Sequence, residues 1–189
     1  MRIAFIIYDG MTALDFVGAF DPLTRLKTMG FVPGVEWDVC ALAREVSDGA
    51  GLSIAASKVG GALDGYDLLV VPGGYSAREL AGESAFVGWL QTAADCPLKA
   101  SVCTGSLLLG AAGFLRGKRA TTHPTAFAEL EEYCREVSRE RVVDEGDVVT
   151  AGGVTASIDL GLHLCERIAG REVRALVQEQ MDYRRVEVS

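Results

Sequence analysis

Cys103 is the residue whose type and setting most clearly suggest chemistry. It lies in KASVCTGSLLLGAAG, where an apolar run ending at Val102 is followed at once by a helical pattern beginning near Gly105. A cysteine on such a turn is held out of the sheet edge, with N–H groups of the following helix directed at it. Since these donors favour an anion, we expect a thiolate with a pKa of roughly 3.5–7.5 instead of about 8.5. A cysteine that is merely buried at a strand end fits the segment equally well.

A carboxyl group and a glycine pair could assist this cysteine. Asp15 stands among apolar residues in TALDFVGAF, and such neighbours would raise its pKa and suit it to proton transfer. Gly73 and Gly74 follow an apolar run, and glycines let backbone N–H groups approach a reacting atom, as an oxyanion hole requires. The alternatives are a solvated helical aspartate and an ordinary tight turn.

The two histidines predict no metal site. His123, in ATTHP, could pair with Cys103 for acyl-transfer or glyoxalase-type chemistry, but a loop histidine without a chemical role is the favoured interpretation. His163 lies inside the apolar pattern LGLHLCERI, which is more typical of a core or interface histidine. The histidines are far apart, and the five scattered cysteines show no CxxC spacing. We therefore expect neither a bound metal nor a disulfide framework.

Apolar runs typical of buried strands alternate with helical patterns. The predicted strands are residues 2–8, 36–43, 67–71, 99–102 and a hairpin of 142–143 with 148–149. The predicted helices are residues 12–29, the SLLLGAAGFL segment, a helix from after Gly153 to about 169, and residues 172–181. Strands that are apolar throughout are buried on both faces, and the helices between them require parallel crossovers. The sequence therefore predicts one α/β domain over residues 1–189, with a doubly wound, mostly parallel sheet of flavodoxin-like type flanked by helices.

In such a sheet the site lies outside the carboxyl ends of the strands. This rule selects four loops, at residues 8–12, 72–75, 102–105 and 151–155. At the last of these, Thr155 or Ser157 could cap the following helix, and Asp159 would fall in its first turn, where a negative charge is favourable.

Composition and charge exclude several classes of function. Hydrophobic residues make up 49% of the 189 residues and charged residues 23%, which is typical of neither a disordered chain nor a coiled coil. The net charge of −8 disfavours nucleic acid and anionic membranes as partners and favours a small neutral or cationic substrate. No apolar run approaches the ~18 residues that cross a bilayer, and no signal-peptide pattern follows Met1. We therefore expect a cytoplasmic protein.

Four segments together resemble the ThiJ/PfpI superfamily, within the class I glutamine amidotransferase-like fold. They are IAFIIYDGMTALDFVGAFDPL, VVPGG, SVCTGSLLLGAAGFLRGKRATTHPTA and RVVDEGDVVTAGGVTASIDLGL, which come in the family's order and cover most of the chain. Within the superfamily, the sequence is most similar to isocyanide (isonitrile) hydratases and to related domains of some transcriptional regulators.

The resemblance implies a set of site residues. It implies a nucleophile at Cys103, an acidic partner at Asp15 and a hydroxyl at Thr104, and it places His123 and the backbone of Val154 beside them. Thr104 stands where protease-like members have histidine, which disfavours peptidase activity. An aspartate at position 15 is what isocyanide hydratases carry, whereas Ala19 replaces their usual proline. The resemblance further implies no cofactor and a homodimer with the site near the subunit boundary.

The activity expected from this resemblance is hydration of an isocyanide to an N-substituted formamide. Cys103 would form a thioimidate, and Asp15 would act as general acid and base. The Thr104 hydroxyl would bond Asp15 or position water, and the N–H groups of Gly74 and Thr104 would hold the sulfur or the developing charge. The alternatives are another hydratase, glyoxalase or amidase activity, or a redox-sensing protein in which Cys103 is oxidised.

Overall fold

The computed structural model describes residues 1–184. These residues form eleven strands: β1 (Arg2–Ile6), β2 (Glu36–Ala41), β3 (Glu45–Ser47), β4 (Ser53–Ala55), β5 (Lys58–Val59), β6 (Leu68–Val71), β7 (Leu98–Val102), β8 (Arg119–Ala120), β9 (Glu136–Val137), β10 (Val142–Asp144) and β11 (Val148–Ala151). They also form seven α-helices: α1 (Ala13–Thr28), α2 (Ala77–Leu80), α3 (Ser84–Gln91), α4 (Gly105–Ala111), α5 (Phe127–Leu130), α6 (Ala156–Ala169) and α7 (Arg171–Gln180). A 3-10 turn at Pro124–Ala126 precedes α5.

Seven of the strands form one central sheet. Its strand order is β10-β11-β7-β6-β1-β2-β5, and every neighbouring pair is parallel except the hairpin of β10 with β11. Every residue of β6 and β11 is buried, as apolar strands covered on both faces require. The predicted α/β fold with a doubly wound, mostly parallel sheet is confirmed.

The helices flank this sheet in two groups. α1 packs against α6 and α7, whereas α2, α3 and α5 contact α4. α1 and α6 approach closely because glycines stand at their contact: a side chain at Gly161 would collide with Pro22, and one at Gly18 would collide with Ser157. This close crossing brings the first turns of α1 and α6 together beside the sheet edge.

Several short elements are not predicted by the sequence patterns. They are the β3–β4 hairpin, the edge strand β5, the β8–β9 pair and the helices α2, α3 and α5. Strands of two or three residues are too short to show an alternating pattern. α4 also ends at Ala111, before the end of the predicted SLLLGAAGFL helix, because Gly113 takes a φ of 88° that a helix does not use.

The four loops selected from the sequence meet at one sheet edge. The Thr12 N–H donates to the Gly73 carbonyl at 2.8 Å, and the Cys103 N–H donates to the Ala151 carbonyl at 3.0 Å. Met11 and Gly74 form an isolated antiparallel bridge. Residues 185–189, the end of the predicted domain, lie outside the described residues. Within residues 1–184, the helices are too short or too polar for any of them to span a membrane.

Candidate active site

Cys103 occupies a strained turn between β7 and α4. Its φ is 55°, in the left-handed region that costs a non-glycine residue on the order of 1–3 kcal/mol. Hydrogen bonds hold this backbone on both sides. The Cys103 N–H donates to the carbonyls of Ala151 (3.0 Å) and Gly152 (2.9 Å), and its carbonyl accepts from the hydroxyls of Thr122 (2.9 Å) and Ser106 (3.1 Å) and from the Ser106 N–H (3.4 Å). The turn is therefore over-determined, and Cys103 lines the adjacent cavity.

Glycine is required where this turn meets the loop after β6. A Cβ at Gly73 would lie 2.6 Å from the Thr104 nitrogen and 2.8 Å from the Cys103 Cβ. A Cβ at Gly105 would lie 2.7 Å from the carbonyl oxygen of Pro72. Real Cβ atoms essentially never come this close, so the two loops pack together only because both positions lack side chains.

Asp15 lies in the first turn of α1 and is fully buried. Its Oδ2 accepts the Gly73 N–H at 3.0 Å, whereas Oδ1 has no hydrogen-bond partner in the described part of the chain. Burial raises the pKa of Asp15 to about 7, against the opposing effects of the Gly73 N–H and the nearby Cys103 thiol. The predicted rise in the pKa of this carboxyl is confirmed, and it makes Asp15 able to exchange a proton near neutral pH.

The predicted low pKa of Cys103 is wrong. Burial raises the pKa of this thiol to about 11, and the negative charge of Asp15 raises it further, although the N–H groups of Thr104 and Val154 act in the opposite direction. Cys103 is only 6% exposed, so lost hydration outweighs what the start of a short helix supplies. Asp15 and Cys103 therefore titrate as a coupled pair that holds one proton between them above neutral pH.

Thr104 and Gly74 bond to each other. The Thr104 hydroxyl donates to the Gly74 carbonyl at 3.0 Å and accepts the Gly74 N–H at the same distance. The hydroxyl therefore bonds Gly74 instead of Asp15, and the Gly74 N–H is occupied instead of free to hold a developing charge. The groups that favour a charge on the Cys103 sulfur are the N–H groups of Thr104 and Val154 and, more weakly, the Thr104 hydroxyl.

His123 lines the same cavity without bonding to Cys103. Its Nδ1 lies 2.8 Å from the Thr125 hydroxyl and accepts the Thr125 N–H at 3.3 Å, which assigns the ring proton to Nε2. The ring packs against Gly153, where a side chain would collide with it. No Cys–His hydrogen bond is found among residues 1–184.

Other sequence-based expectations concern residues on α6. Neither Thr155 nor Ser157 caps this helix: the Thr155 hydroxyl accepts from Arg141 at 3.1 Å, and the Ser157 hydroxyl donates to carbonyl groups. Asp159 is in the first turn and forms an ion pair with Arg141. His163 lies near the surface and contacts Asp144 at 2.7 Å.

A cavity of about 410 Å³ opens in front of the Cys103 sulfur. Tyr75, which is 92% exposed, stands at its mouth, and Arg78 there pairs with Glu129 at 2.8 Å. Arg78 and Thr125 are wall residues that the sequence analysis missed, and no motif marks them. The full lining consists of Thr12, Gly74, Tyr75, Arg78, Cys103, Thr104, His123, Thr125 and Val154.

The described residues contain no group of three or more His, Cys, Asp and Glu side chains that could hold a metal ion. All five cysteines are free thiols.

Comparison with known proteins identifies relatives along most of the chain. Residues 1–167 match the DJ-1/PfpI family. The chain is 34% identical over 184 residues to isonitrile hydratase of Pseudomonas putida, covering 97% of this chain and 78% of that protein. It is 27% identical over 172 residues to protein dj-1beta of Drosophila melanogaster, covering 88% of this chain and 89% of that protein. The predicted resemblance is confirmed.

Regulators and solved structures also match. The chain is 29% identical over 189 residues to the HTH-type transcriptional regulator GbdR of Pseudomonas aeruginosa, and it spans 51% of that protein's length. The crystal structure of a ThiJ/PfpI family protein from Pseudomonas syringae superposes with a TM-score of 0.88 at 29% identity, covering 100% of this chain and 77% of the other.

Proposed function

The chain belongs to the DJ-1/PfpI family, and we propose that it adds water to a small isocyanide to give an N-substituted formamide. One observation carries the proposal: a fully buried carboxyl with a pKa of about 7 is coupled to a thiol that lines a cavity. An isocyanide carbon becomes electrophilic when it is protonated as it is attacked. The thiol and the carboxyl together supply the nucleophile that attacks this carbon and the proton that the carbon receives. The similarity to an isonitrile hydratase supports the same chemistry.

In the first half of the reaction, the shared proton moves onto carbon. In the resting pair the Cys103 thiol carries the shared proton, because its pKa is the higher of the two. This proton passes to Asp15 as the substrate enters, so that Cys103 reacts as the thiolate. A bond forms between the sulfur and the terminal carbon of R–N≡C as the carboxyl proton passes to that carbon. The products are a thioimidate, R–N=CH–S–Cys103, and an ionised Asp15. The N–H groups of Thr104 and Val154 hold the sulfur while its charge changes.

In the second half, water releases the product. Asp15 takes a proton from water as the hydroxide oxygen bonds to the thioimidate carbon, and this proton then passes to nitrogen. The resulting R–NH–CH(OH)–S–Cys103 loses its hydroxyl proton to Asp15 as the carbon–sulfur bond breaks. The formamide R–NH–CHO leaves, and the pair again holds one proton. Splitting the hydration into two steps is the advantage of covalent catalysis.

The cavity favours a small uncharged substrate. Its lining includes the threonines Thr12 and Thr125, while the charge of Arg78 is balanced by Glu129. Thr104 is assigned a positioning role in the active site, because its hydroxyl bonds Gly74 and so fixes that loop beside the sulfur.

The test is turnover of cyclohexyl isocyanide by the purified chain, with N-cyclohexylformamide measured by mass spectrometry. Cys103→Ala should abolish product formation. Cys134→Ala is the matched control, because that thiol does not line the cavity, and it should retain wild-type turnover. Formamide production by Cys103→Ala would rule out the thioimidate mechanism. If the wild type produces no formamide, an isocyanide is not the substrate.

The other activities have less support from the geometry. A Cys–His mechanism of glyoxalase or amidase type lacks a bond between His123 and Cys103, since the Nδ1 of His123 is held by Thr125. Oxidation of Cys103 as the primary function is disfavoured because the thiol is buried and protonated near neutral pH. Methylglyoxal turnover tests the glyoxalase activity, and the mass of Cys103 after mild peroxide treatment tests its oxidation.

The cytoplasmic location and the homodimer stay predictions. Leu14 and Val17 flank Asp15 on α1 and are each 43% exposed, which is apolar surface that a second copy would cover. Sedimentation of the purified chain measures its oligomeric state.

A further inference from the structure

One buried hydroxyl joins the two helices that meet beside the sulfur. Ser157, in the first turn of α6, is fully buried. The single proton of its hydroxyl is shared between two carbonyl oxygens, that of Val154 at 2.7 Å and that of Leu14 at 3.1 Å. The first contact is the local bond that a serine near a helix start commonly makes. The second joins residues 143 positions apart in the sequence.

Each acceptor of this hydroxyl adjoins a group of the reactive pair. Leu14 precedes Asp15 in the first turn of α1. Val154 supplies one of the N–H groups directed at the Cys103 sulfur. A shift of either segment would therefore change the separation of the carboxyl and the sulfur, or the donors that the sulfur receives.

The Ser157 hydroxyl occupies space that the glycine at position 18 leaves open. Gly18, one turn along α1 from Leu14, faces the Ser157 side chain so closely that any side chain at position 18 would collide with the hydroxyl oxygen. Ile158 Cγ1 would lie 3.4 Å from the same added atom. The absence of a side chain at position 18 thus permits the contact between α6 and the Leu14 carbonyl.

We infer that Ser157 is a positioning residue that holds the carboxyl of Asp15 and the sulfur of Cys103 at their working separation, through one hydroxyl shared by the loop before α6 and the first turn of α1. The inference rests on the proposed function for its catalytic consequence. Its structural content, the coupling of two reactive groups, can be measured without any isocyanide.

The experiment compares the effect of Asp15 on Cys103 in two backgrounds. The midpoint of the pH dependence of Cys103 alkylation by iodoacetamide is measured for wild type, Asp15→Asn, Ser157→Ala and the double variant. Removal of the Asp15 charge should lower the midpoint in the wild-type background, because that charge raises the pKa of the thiol. In the Ser157→Ala background the same removal should shift the midpoint by less than half as much. Equal shifts in the two backgrounds, or no shift in either, would overturn the inference.

Gly18→Ala is an independent second variant, because it displaces the hydroxyl while Ser157 itself is kept. It should weaken the coupling in the same direction as Ser157→Ala. Thr24→Ala is the matched control: Thr24 is also a buried hydroxyl, but its bond to the Asp21 carbonyl, at 3.1 Å, stays within α1. Its alkylation profile should equal that of wild type. Circular dichroism and Tm confirm that each variant is folded.

Turnover separates this inference from the proposed function. Where the wild type hydrates cyclohexyl isocyanide, Ser157→Ala should lower kcat by about tenfold, the order expected for one buried hydrogen bond, and leave KM nearly unchanged. An unchanged kcat together with an unchanged coupling would reject the role of Ser157. If the wild type produces no formamide, the proposed function fails, and the alkylation cycle still decides the positioning role.

Discussion

Two carboxylates that differ in their surroundings, Asp15 and Asp144, show how the fold assigns different uses to the same side chain. Asp144, at the end of β10, is an exposed residue and accepts from His163, from Arg167 and from the Gly146 N–H. Burial alone would raise its pKa, but these donors together hold the pKa below its usual value. Asp15 is fully buried, receives one N–H and has no cationic partner within residues 1–184, so its pKa rises to about 7.

The comparison separates a structural carboxylate from one that can move a proton. A well-paired carboxylate stays ionised and contributes to the attachment of α6 to the β10–β11 hairpin. A carboxyl with one free buried oxygen, coupled to a thiol, changes its protonation near neutral pH. The difference comes from burial, which is complete for Asp15, and from the number of donors around each group.

Replacing each carboxylate by an amide should give the largest difference in turnover between the two positions. Asp15→Asn should lower turnover of cyclohexyl isocyanide by about 10²–10⁴-fold, the usual contribution of a positioned acid–base group. Asp144→Asn should change turnover by less than about twofold, since its partners lie outside the cavity lining. Steady-state kinetics of both variants at neutral pH measures the contrast. Equal losses in the two variants would contradict the division of roles.

The reactivity of Cys103 should follow its raised pKa. We expect the iodoacetamide rate at this thiol to be still rising above pH 9 in the wild type, since burial and the Asp15 charge raise its pKa to about 11. Peptide mapping of the alkylated protein at a series of pH values gives the profile. Asp144→Asn should leave the profile unchanged, and a midpoint below neutral pH in the wild type would contradict this assignment.

The stability of the two variants should depend on pH in opposite ways. The folded-state pKa of Asp15 is raised, so folding favours its protonated form. This carboxyl costs increasing stability as pH rises from about 4 to about 7, and the cost is constant above that. A rise from 3.8 to about 7 corresponds to roughly 4 kcal/mol at pH 8, so Asp15→Asn should raise Tm there by about 10 °C in a domain of this size. At pH 4 the two proteins should melt together.

For Asp144 the sign is reversed. Its folded-state pKa is lowered, so its stabilisation is present above the unfolded value of 3.8 and is lost as pH falls through the folded value. Asp144→Asn should lower Tm at neutral pH, and the difference should vanish at strongly acidic pH. Thermal melts followed by circular dichroism at a series of pH values measure the change in Tm for each variant. If Tm changes with pH in the same way in both variants, the contrast between the two carboxylates is wrong.

The smallest effect should come from His163. His163→Gln removes one partner of Asp144 while Arg167 and the Gly146 N–H remain. Because the side chains of this pair are about one-third exposed, the loss of stability should be less than about 1 kcal/mol, with turnover unchanged. Urea unfolding at neutral pH measures this value. A large loss of turnover would show that the hairpin and the active site are coupled.

The fold and the position of the candidate site follow from local sequence patterns. The apolar runs of β1, β6 and β7 and the helical patterns after them predict a doubly wound sheet, and the carboxyl ends of its strands select the four loops that meet in the structure. The short strands β3, β4, β5, β8 and β9 could not be predicted in this way, because they form only where a neighbouring chain segment supplies their hydrogen-bond partners.

The sequence by itself determined that Cys103 follows a buried strand and that Asp15 stands in an apolar helical segment just after the loop of residues 8–12. It also placed that loop and the loop of Cys103 at one sheet edge, because strand and helix periods are read from neighbouring residues. Only the tertiary structure decided how these groups behave. The raised pKa values depend on burial and on contacts such as Gly73 with Asp15, 58 positions apart, and the contact of Ser157 with Leu14 spans 143 positions. Hydration and charge act through space, so the protonation of the pair is fixed by residues that no local pattern brings together.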